Sequence, residues 1–313
     1  MENSFRAGMV ALIGLPNVGK STLMNRILGA KVAIATSKPQ TTRNRILGVR
    51  TWPGRGQICF VDTPGLHVSR KRLNQAMVRV ALGALEEVDL VCHVIDAAAL
   101  AGADARGELD RAWDEEGIVF RHLAEVDLPI VVALNKSDKA KPVQRLLPII
   151  QIVADEMGDR DDIEMVPISA LTGDNIDDVL VEVLLRKLPE QEALFPEDML
   201  TDQAERFIAA EFVREQLMEQ TRKEVPYSVA VEVERFVDRD DLIEISAVIH
   251  VERDSQKGIV IGEGGARIKA IGTNARIELE KLFGKKVFLE TFVRVESEWT
   301  ENPRALHRFG YEE

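Results

Sequence analysis

The sequence predicts an α/β domain with a mixed, mostly parallel sheet, followed by a smaller α+β domain of α-β-β-α-α-β order. Three observations carry that expectation. Short apolar runs alternate with helical stretches as far as residue 188, the pattern of a parallel sheet covered by helices. A glycine-rich turn joins the first apolar run to the first helix. Past residue 200 the strands alternate apolar and polar residues, as a sheet with one buried face requires. The expected organisation is a first domain over 1–188, a linker over 189–200, and a second domain with a C-terminal tail over 201–313.

Taken in order, the strand candidates of the first domain are Gly8–Ile13, Arg45–Thr51, Gln57–Asp62, Leu90–Ile95, Ile130–Leu134 and Ile163–Pro167. WPGRG between the second and third is rich in turn formers, which predicts a hairpin and one antiparallel edge. Residues 97–123 form a long connection rich in Asp, Glu, Gly and Ala, read as a partly helical surface insertion. A helix over Ile176–Leu188 precedes PEQEALFPEDM, whose two prolines and four acids suit a linker. Thr201–Thr221 reads as a helix, with Thr201 and Asp202 able to cap its start and Ala204, Ile208 and Phe212 spaced four apart. Tyr227–Val237 and Leu242–Glu252 form a hairpin around the acidic turn DRDD. A helix over Gly265–Phe283 and a strand over Lys286–Glu296 complete the unit.

Bulk composition excludes several classes. The net charge of −12 argues against a general cationic coater of nucleic acid, while leaving room for a local basic site. Cys59 and Cys92, the two cysteines, sit in apolar strand-like runs and read as buried small hydrophobes in a reducing compartment. No apolar run approaches the roughly 18 residues of a membrane span. MENSFRAG before the first strand leaves no room for a targeting peptide, so a cytoplasmic location is expected. The histidines show no metal spacing, and His93 reads as a core residue.

Four motifs then appear in series. GLPNVGKS (Gly14, Leu15, Pro16, Asn17, Val18, Gly19, Lys20, Ser21), with Thr22 behind it, lies between a strand and a helix. Backbone N–H groups of such a loop close around phosphate oxygens, and the helix N-terminus adds its dipole. Lys20 is placed to bridge the β- and γ-phosphates, and the Ser21 hydroxyl to bind Mg²⁺. DTPG (Asp62, Thr63, Pro64, Gly65) ends a strand, offering a carboxylate to the metal and the Gly65 N–H to a γ-phosphate. NKSD (Asn135, Lys136, Ser137, Asp138) follows an apolar strand; the Asp138 carboxylate can accept from N1–H and N2–H₂ of guanine, a donor pair that adenine lacks. SAL (Ser169, Ala170, Leu171) supplies a backbone N–H for the guanine O6. Together they predict a P-loop GTPase domain with GTP or GDP and Mg²⁺ as ligands.

Three points in this site stay open on residues alone. Within KPQTTRNR, Thr41 and Thr42 are both candidates to complete the metal shell in the GTP state, and Thr42 is favoured, so the expected catalytic set is Lys20, Thr42 and Gly65 with metal ligands Ser21, Thr42 and Asp62. Leu66 stands where a water-orienting glutamine is found in Ras-like enzymes, so intrinsic hydrolysis is slow or another group supplies the charge. Asn17 is either a K⁺ ligand against the phosphates or a turn former of its loop.

In the second domain Gly262, Glu263, Gly264 and Gly265 form a G-x-x-G tetrad between an apolar run and a helix, bracketed by Lys257, Arg267 and Lys269. From Arg253 to Arg294 nine Lys/Arg face five Asp/Glu, an excess of four. With the α-β-β-α-α-β order this resembles a KH domain, which clamps single-stranded RNA along its loop. Glu263 is the oddity, a carboxylate where RNA phosphates approach.

GLPNVGKST, PQTTR, DTPG, NKSD and SAL, followed by KGIVIGEGGARIKAIG and a tail SEWTENPRALHRFGY, resemble the bacterial Era GTPase family over essentially the whole chain. The resemblance implies a GTP-hydrolysing assembly factor that binds the 3′ region of small-subunit (16S) ribosomal RNA through its KH domain during maturation of the 30S subunit. It also implies a monomer in the cytoplasm, in part peripheral at the inner membrane. Two rivals are weighed. A tRNA-modification or double-GTPase relative conflicts with the single motif set, and an RNA-binding protein with a degenerate nucleotide site conflicts with intact Lys20, Ser21, Asp62 and Asp138.

Overall fold

A computed structural model of the chain describes residues 4–66, 72–158, 160 and 163–311. His67 lies outside them. In chain order the elements are β1 (Arg6–Ile13), α1 (Lys20–Leu28), β2 (Ile46–Trp52), β3 (Gly56–Asp62), α2 (Arg72–Gly83), β4 (Leu90–Asp96), α3 (Ala97–Asp104), α4 (Leu109–Ala124), β5 (Ile130–Asn135), α5 (Leu147–Met157), β6 (Glu164–Pro167), α6 (Val181–Lys187), α7 (Glu205–Gln220), β7 (Val229–Asp238), β8 (Leu242–Val251), α8 (Asp254–Ile261), α9 (Ala266–Phe283), β9 (Lys286–Val295) and α10 (Pro303–Arg308). They separate into two compact units, the first from residues 4–32, 42–66 and 77–202 and the second from 33–41, 72–76 and 203–311.

The first unit is a six-stranded sheet of order β2-β3-β1-β4-β5-β6. β1, β3, β4, β5 and β6 run parallel, and β2 pairs antiparallel with β3 as the hairpin reading predicts. Helices cover both faces of such a sheet, so its central strands are apolar throughout, as in β4 and β5. The loops that leave the carboxyl ends of β1, β3, β5 and β6 carry all four motifs, which is where an open α/β sheet binds its ligand.

Residues 97–123 depart from the expected surface insertion. They form α3 and α4, and α4 buries Trp113, Val119, Phe120 and Leu123 in the core beside Val91, Ile130 and Val132. His93 is fully buried, edge-on to the Phe120 ring and 3.3 Å from Glu116 of α4. Both cysteines are buried and free; burial pushes each thiol up to about 12.

Residues 189–201 are held against the first unit by its own polar groups. The buried Gln57 side chain accepts from Leu194 and Phe195 N–H at 2.8 and 3.0 Å and donates to the Phe195 carbonyl at 2.8 Å. Val49 N–H donates to the Leu200 carbonyl at 2.8 Å. Thr201 does not cap the following helix: its hydroxyl donates to the Leu47 carbonyl, and α7 begins at Glu205 without a side-chain cap.

The second unit has the order α7-β7-β8-α8-α9-β9, with β7 and β8 an antiparallel hairpin and β9 parallel to β8. Val213, Leu217, Ile249, Val251, Ile271 and Ala275 form its core between sheet and helices. Ile34, from the 33–41 segment of this unit, joins Ile208, Phe212 and Leu279 in an adjoining apolar cluster. The C-terminal tail is folded too: Trp299 is fully buried, and its indole N–H donates to the Ser228 carbonyl at 3.1 Å.

Candidate nucleotide site and second glycine loop

The first glycine loop is shaped by what surrounds it. Gly19, the residue before α1, has φ +105°, and a Cβ there would lie 2.4 Å from Asn135 Nδ2, so only glycine fits. Lys20 is buried with its ammonium donating to the Gly14 and Leu15 carbonyls, each at 3.0 Å. Burial lowers its pKa to about 8, against the opposing pull of Asp62 and Glu116.

Three oxygen-bearing side chains meet beside Lys20. Ser21 Oγ donates to Asp62 Oδ2 at 2.6 Å, Thr42 Oγ1 donates to the same oxygen at 3.3 Å, and the two hydroxyls are 2.9 Å apart. The second oxygen, Asp62 Oδ1, is buried and has no hydrogen-bond partner among the described residues. Burial raises the Asp62 pKa, and Lys20, Ser21 and Thr42 oppose that shift. A buried carboxylate with an unused oxygen and two hydroxyls is an all-oxygen donor set that fits Mg²⁺. The pair of threonines is also told apart: Thr41 Oγ1 donates to the Lys38 carbonyl at 2.7 Å within its own loop, and Thr42 alone reaches Ser21 and Asp62.

The remaining motifs are tied to the glycine loop. Thr63 Oγ1 donates to the Leu12 carbonyl at 2.8 Å and Leu66 N–H to the Gly14 carbonyl at 3.1 Å, which seats Pro64–Gly65 against the loop. Leu66 itself is buried in the core with Ala11 and Ile13. Asn135 Nδ2 donates to the Val18 carbonyl at 2.7 Å, while its Oδ1 accepts from Ala170 N–H at 2.9 Å and Lys136 N–H at 2.8 Å. One side chain therefore fastens the phosphate loop to the SAL loop. The Ala170 N–H, expected to face the base, is bonded to Asn135 here.

Lys136 Nζ donates to the Asn17 carbonyl at 2.8 Å and to Asp96 at 2.6 Å, and Asn17 and Lys136 both hold positive φ. Asp138 and Ser137 lie half-buried at the same rim, and Ser137 N–H donates to the Ile168 carbonyl at 3.0 Å. Asp96 and Arg26 escaped the sequence reading. Arg26 of α1 donates to the Leu171 carbonyl and, at 3.4 Å, to that of Ala170, fixing the SAL loop from below. Leu171 is 65% exposed.

The second loop, Gly262–Gly265, joins α8 to α9, with positive φ at Gly262, Gly264 and Gly265. At Gly262 a Cβ would fall 2.8 Å from Arg267 Cβ, so a side chain would push the loop off the first turn of α9. Arg267 donates to the Ile259 carbonyl, closing the end of α8. Lys257 lies on α8, while Lys269 and Glu263 are exposed around the loop.

The family of 50S ribosome-binding GTPases matches residues 9–136, and the KH domain family matches residues 224–300. A GTPase Era of Geobacter metallireducens is 49% identical over 312 residues, covering 99% of each chain. The chain belongs to the GTPase Era family. It is accordingly a GTP-hydrolysing enzyme with a P-loop domain followed by a KH domain. GTPase Era of Xanthomonas oryzae pv. oryzae is 48% identical over 98% of the chain and 97% of that protein. Among solved structures, Era in complex with MgGDPNP and nucleotides 1506–1542 of 16S ribosomal RNA superposes with TM-score 0.89 at 40% identity, covering 99% of this chain and all of that one. An Aquifex aeolicus Era variant bound to GDP and AlF₄⁻ gives TM-score 0.90 at 41% identity, with the same coverage.

Proposed function

We propose that the chain couples GTP hydrolysis to binding of the 3′ region of 16S ribosomal RNA, and so acts in maturation of the 30S subunit. The observation that carries this reading is a pair of glycine loops, each at the start of a helix and each in its own unit: one beside an oxygen donor set, the other beside Arg267 and Lys269. A relative of 40% identity binds MgGDPNP and that RNA.

Lys20 and the loop N–H groups hold the β- and γ-phosphates, and Asp138 selects guanine over adenine. Ser21, Thr42 and Asp62 would hold Mg²⁺, which when bound would neutralise charge on the phosphate oxygens. Gly65 N–H and Thr42 sense the γ-phosphate, so the loops that carry them respond to the nucleotide state. The buried apolar Leu66 cannot orient the attacking water. Intrinsic turnover is therefore slow, and Asn17 would help hold K⁺, which would supply charge that an arginine finger supplies elsewhere.

The same reading makes the protein a cytoplasmic monomer with a peripheral fraction at the inner membrane face. Among the described residues no helix is long and apolar enough to cross a membrane.

Fluorescence anisotropy with the 1506–1542 RNA fragment tests the RNA assignment. The wild-type chain binds and Gly264→Asp does not, since a side chain and a negative charge then stand against the RNA backbone, while RNA-free GTP turnover is unchanged. Equal affinities of the two proteins would overturn the clamp.

A further inference from the structure

β4 ends at Asp96, and the parallel register sets Asp96 beside Asn135, the last residue of β5 and the first of NKSD. Both oxygens of its carboxylate are engaged. Oδ1 accepts from Ala99 N–H at 3.0 Å and so caps the start of α3. Oδ2 accepts from Lys136 Nζ at 2.6 Å, and both side chains are more than two-thirds buried. The same ammonium donates to the Asn17 carbonyl of the phosphate loop at 2.8 Å. A strand end and a capped helix thus fix the carboxylate, and the carboxylate fixes the far end of Lys136. A lysine left to itself samples many rotamers, and ordering it when a ligand arrives weakens binding. Here the side chain is ordered in the folded protein before any ligand is present.

We propose that Asp96 is a positioning residue of the nucleotide site, holding the Lys136 ammonium against the Asn17 carbonyl so that the lysine stem forms a wall for the purine face. The assignment rests on the reading of NKSD as the base-recognition motif. Lys136 has φ +63°, so the chain turns away from β5 at this residue, and its side chain is pinned at the tip by Asp96 and Asn17. A lysine stem is apolar and packs against apolar surface while its charged head stays paired or solvated. Asp96 supplies that pairing and balances the positive charge next to the base. Asp138 then reads the purine edge, Lys136 covers its face, and Asp96 acts through Lys136 without touching the nucleotide. The role requires a carboxylate. An asparagine at 96 caps a helix as well as aspartate does, but with its oxygen on Ala99 N–H its amide nitrogen faces Lys136, a donor against a donor.

The test is a double-mutant cycle on the full chain, with calorimetric titration of GDP as the readout and thermal melting as the measure of folding. The variants are Asp96→Asn, Asp96→Ala, Lys136→Met and Asp96→Asn combined with Lys136→Met. Asp96→Asn should weaken GDP binding roughly tenfold, the worth of one charge-assisted hydrogen bond, and melt with the wild type because the cap of α3 survives. Asp96→Ala should weaken GDP binding as much and melt lower, since the cap is lost as well. Lys136→Met keeps an apolar stem without the ammonium, and adding Asp96→Asn to it should cause no further loss. Wild-type affinity in Asp96→Asn overturns the assignment. So does a loss that adds in full to that of Lys136→Met, because Asp96 then does not act through Lys136. Asp96→Asn melting as low as Asp96→Ala, with GDP affinity falling in step, reduces the carboxylate to a helix cap and also overturns it. Equal wild-type affinity for GDP and ADP overturns the guanine reading instead, and the same cycle on either nucleotide still decides the role of Asp96.

Discussion

The Asn135 side chain holds Ala170 N–H on its Oδ1 at 2.9 Å while its Nδ2 donates to Val18 at 2.7 Å. The first residue of the guanine motif thus joins the base-side loop to the phosphate-side loop. Asn135→Ala removes these bonds together with the one from Lys136 N–H. We expect a loss of roughly 1–3 kcal/mol in stability. GDP and GTP affinities fall by the same factor, because the clasp is independent of the γ-phosphate. Calorimetric titration with each nucleotide checks this, and a loss confined to GTP contradicts it.

Lys20 couples nucleotide affinity to pH. In the nucleotide-free protein burial holds its pKa near 8, against an ordinary value of 10.5. The protonated form binds phosphate. Below pH 8 the charge is present in advance; above it, binding must take up a proton, so GDP affinity falls as pH rises through 8. Titrations in buffers of different ionisation enthalpy should show uptake rising toward about one proton per GDP. Zero uptake at pH 9 refutes the assignment.

Thr42 reaches the Ser21–Asp62 pair and Thr41 does not. Thr42→Ala should weaken binding of a non-hydrolysable GTP analogue roughly tenfold and leave GDP affinity unchanged, because the residue closes on the metal only in the triphosphate state. Equal loss for both nucleotides would assign Thr42 a structural role instead.

Asp138→Asn exchanges two acceptor oxygens for an acceptor and a donor. Preference should move from GTP toward xanthosine triphosphate, whose carbonyl replaces the guanine amino group. Unchanged GTP affinity sinks the guanine assignment.

Turnover of the wild type should be faster in potassium than in sodium at equal ionic strength, and Asn17→Ala should abolish the difference. Equal rates in the two salts leave Asn17 a turn former, which its φ of +64° already permits.

The order of motifs and the change of strand pattern past residue 200 were legible because each rests on local spacing. The choice between Thr41 and Thr42 was not decided by spacing, since adjacent residues in a loop point in different directions. Asn135 as a clasp was hidden because its partners are backbone groups far away in sequence, with no side-chain signature. Residues 97–123 read as a partly helical surface insertion because acids surround Trp113, Phe120 and Leu123. The structure puts those three inward at helical spacing and buries Glu116 beside His93.

Crosslinking the chain to RNA in living cells, followed by sequencing of the attached fragments, measures the central claim most directly. The account predicts a peak at the 3′ end of 16S ribosomal RNA that disappears in Gly264→Asp. A peak elsewhere, or one that survives Gly264→Asp, would contradict it.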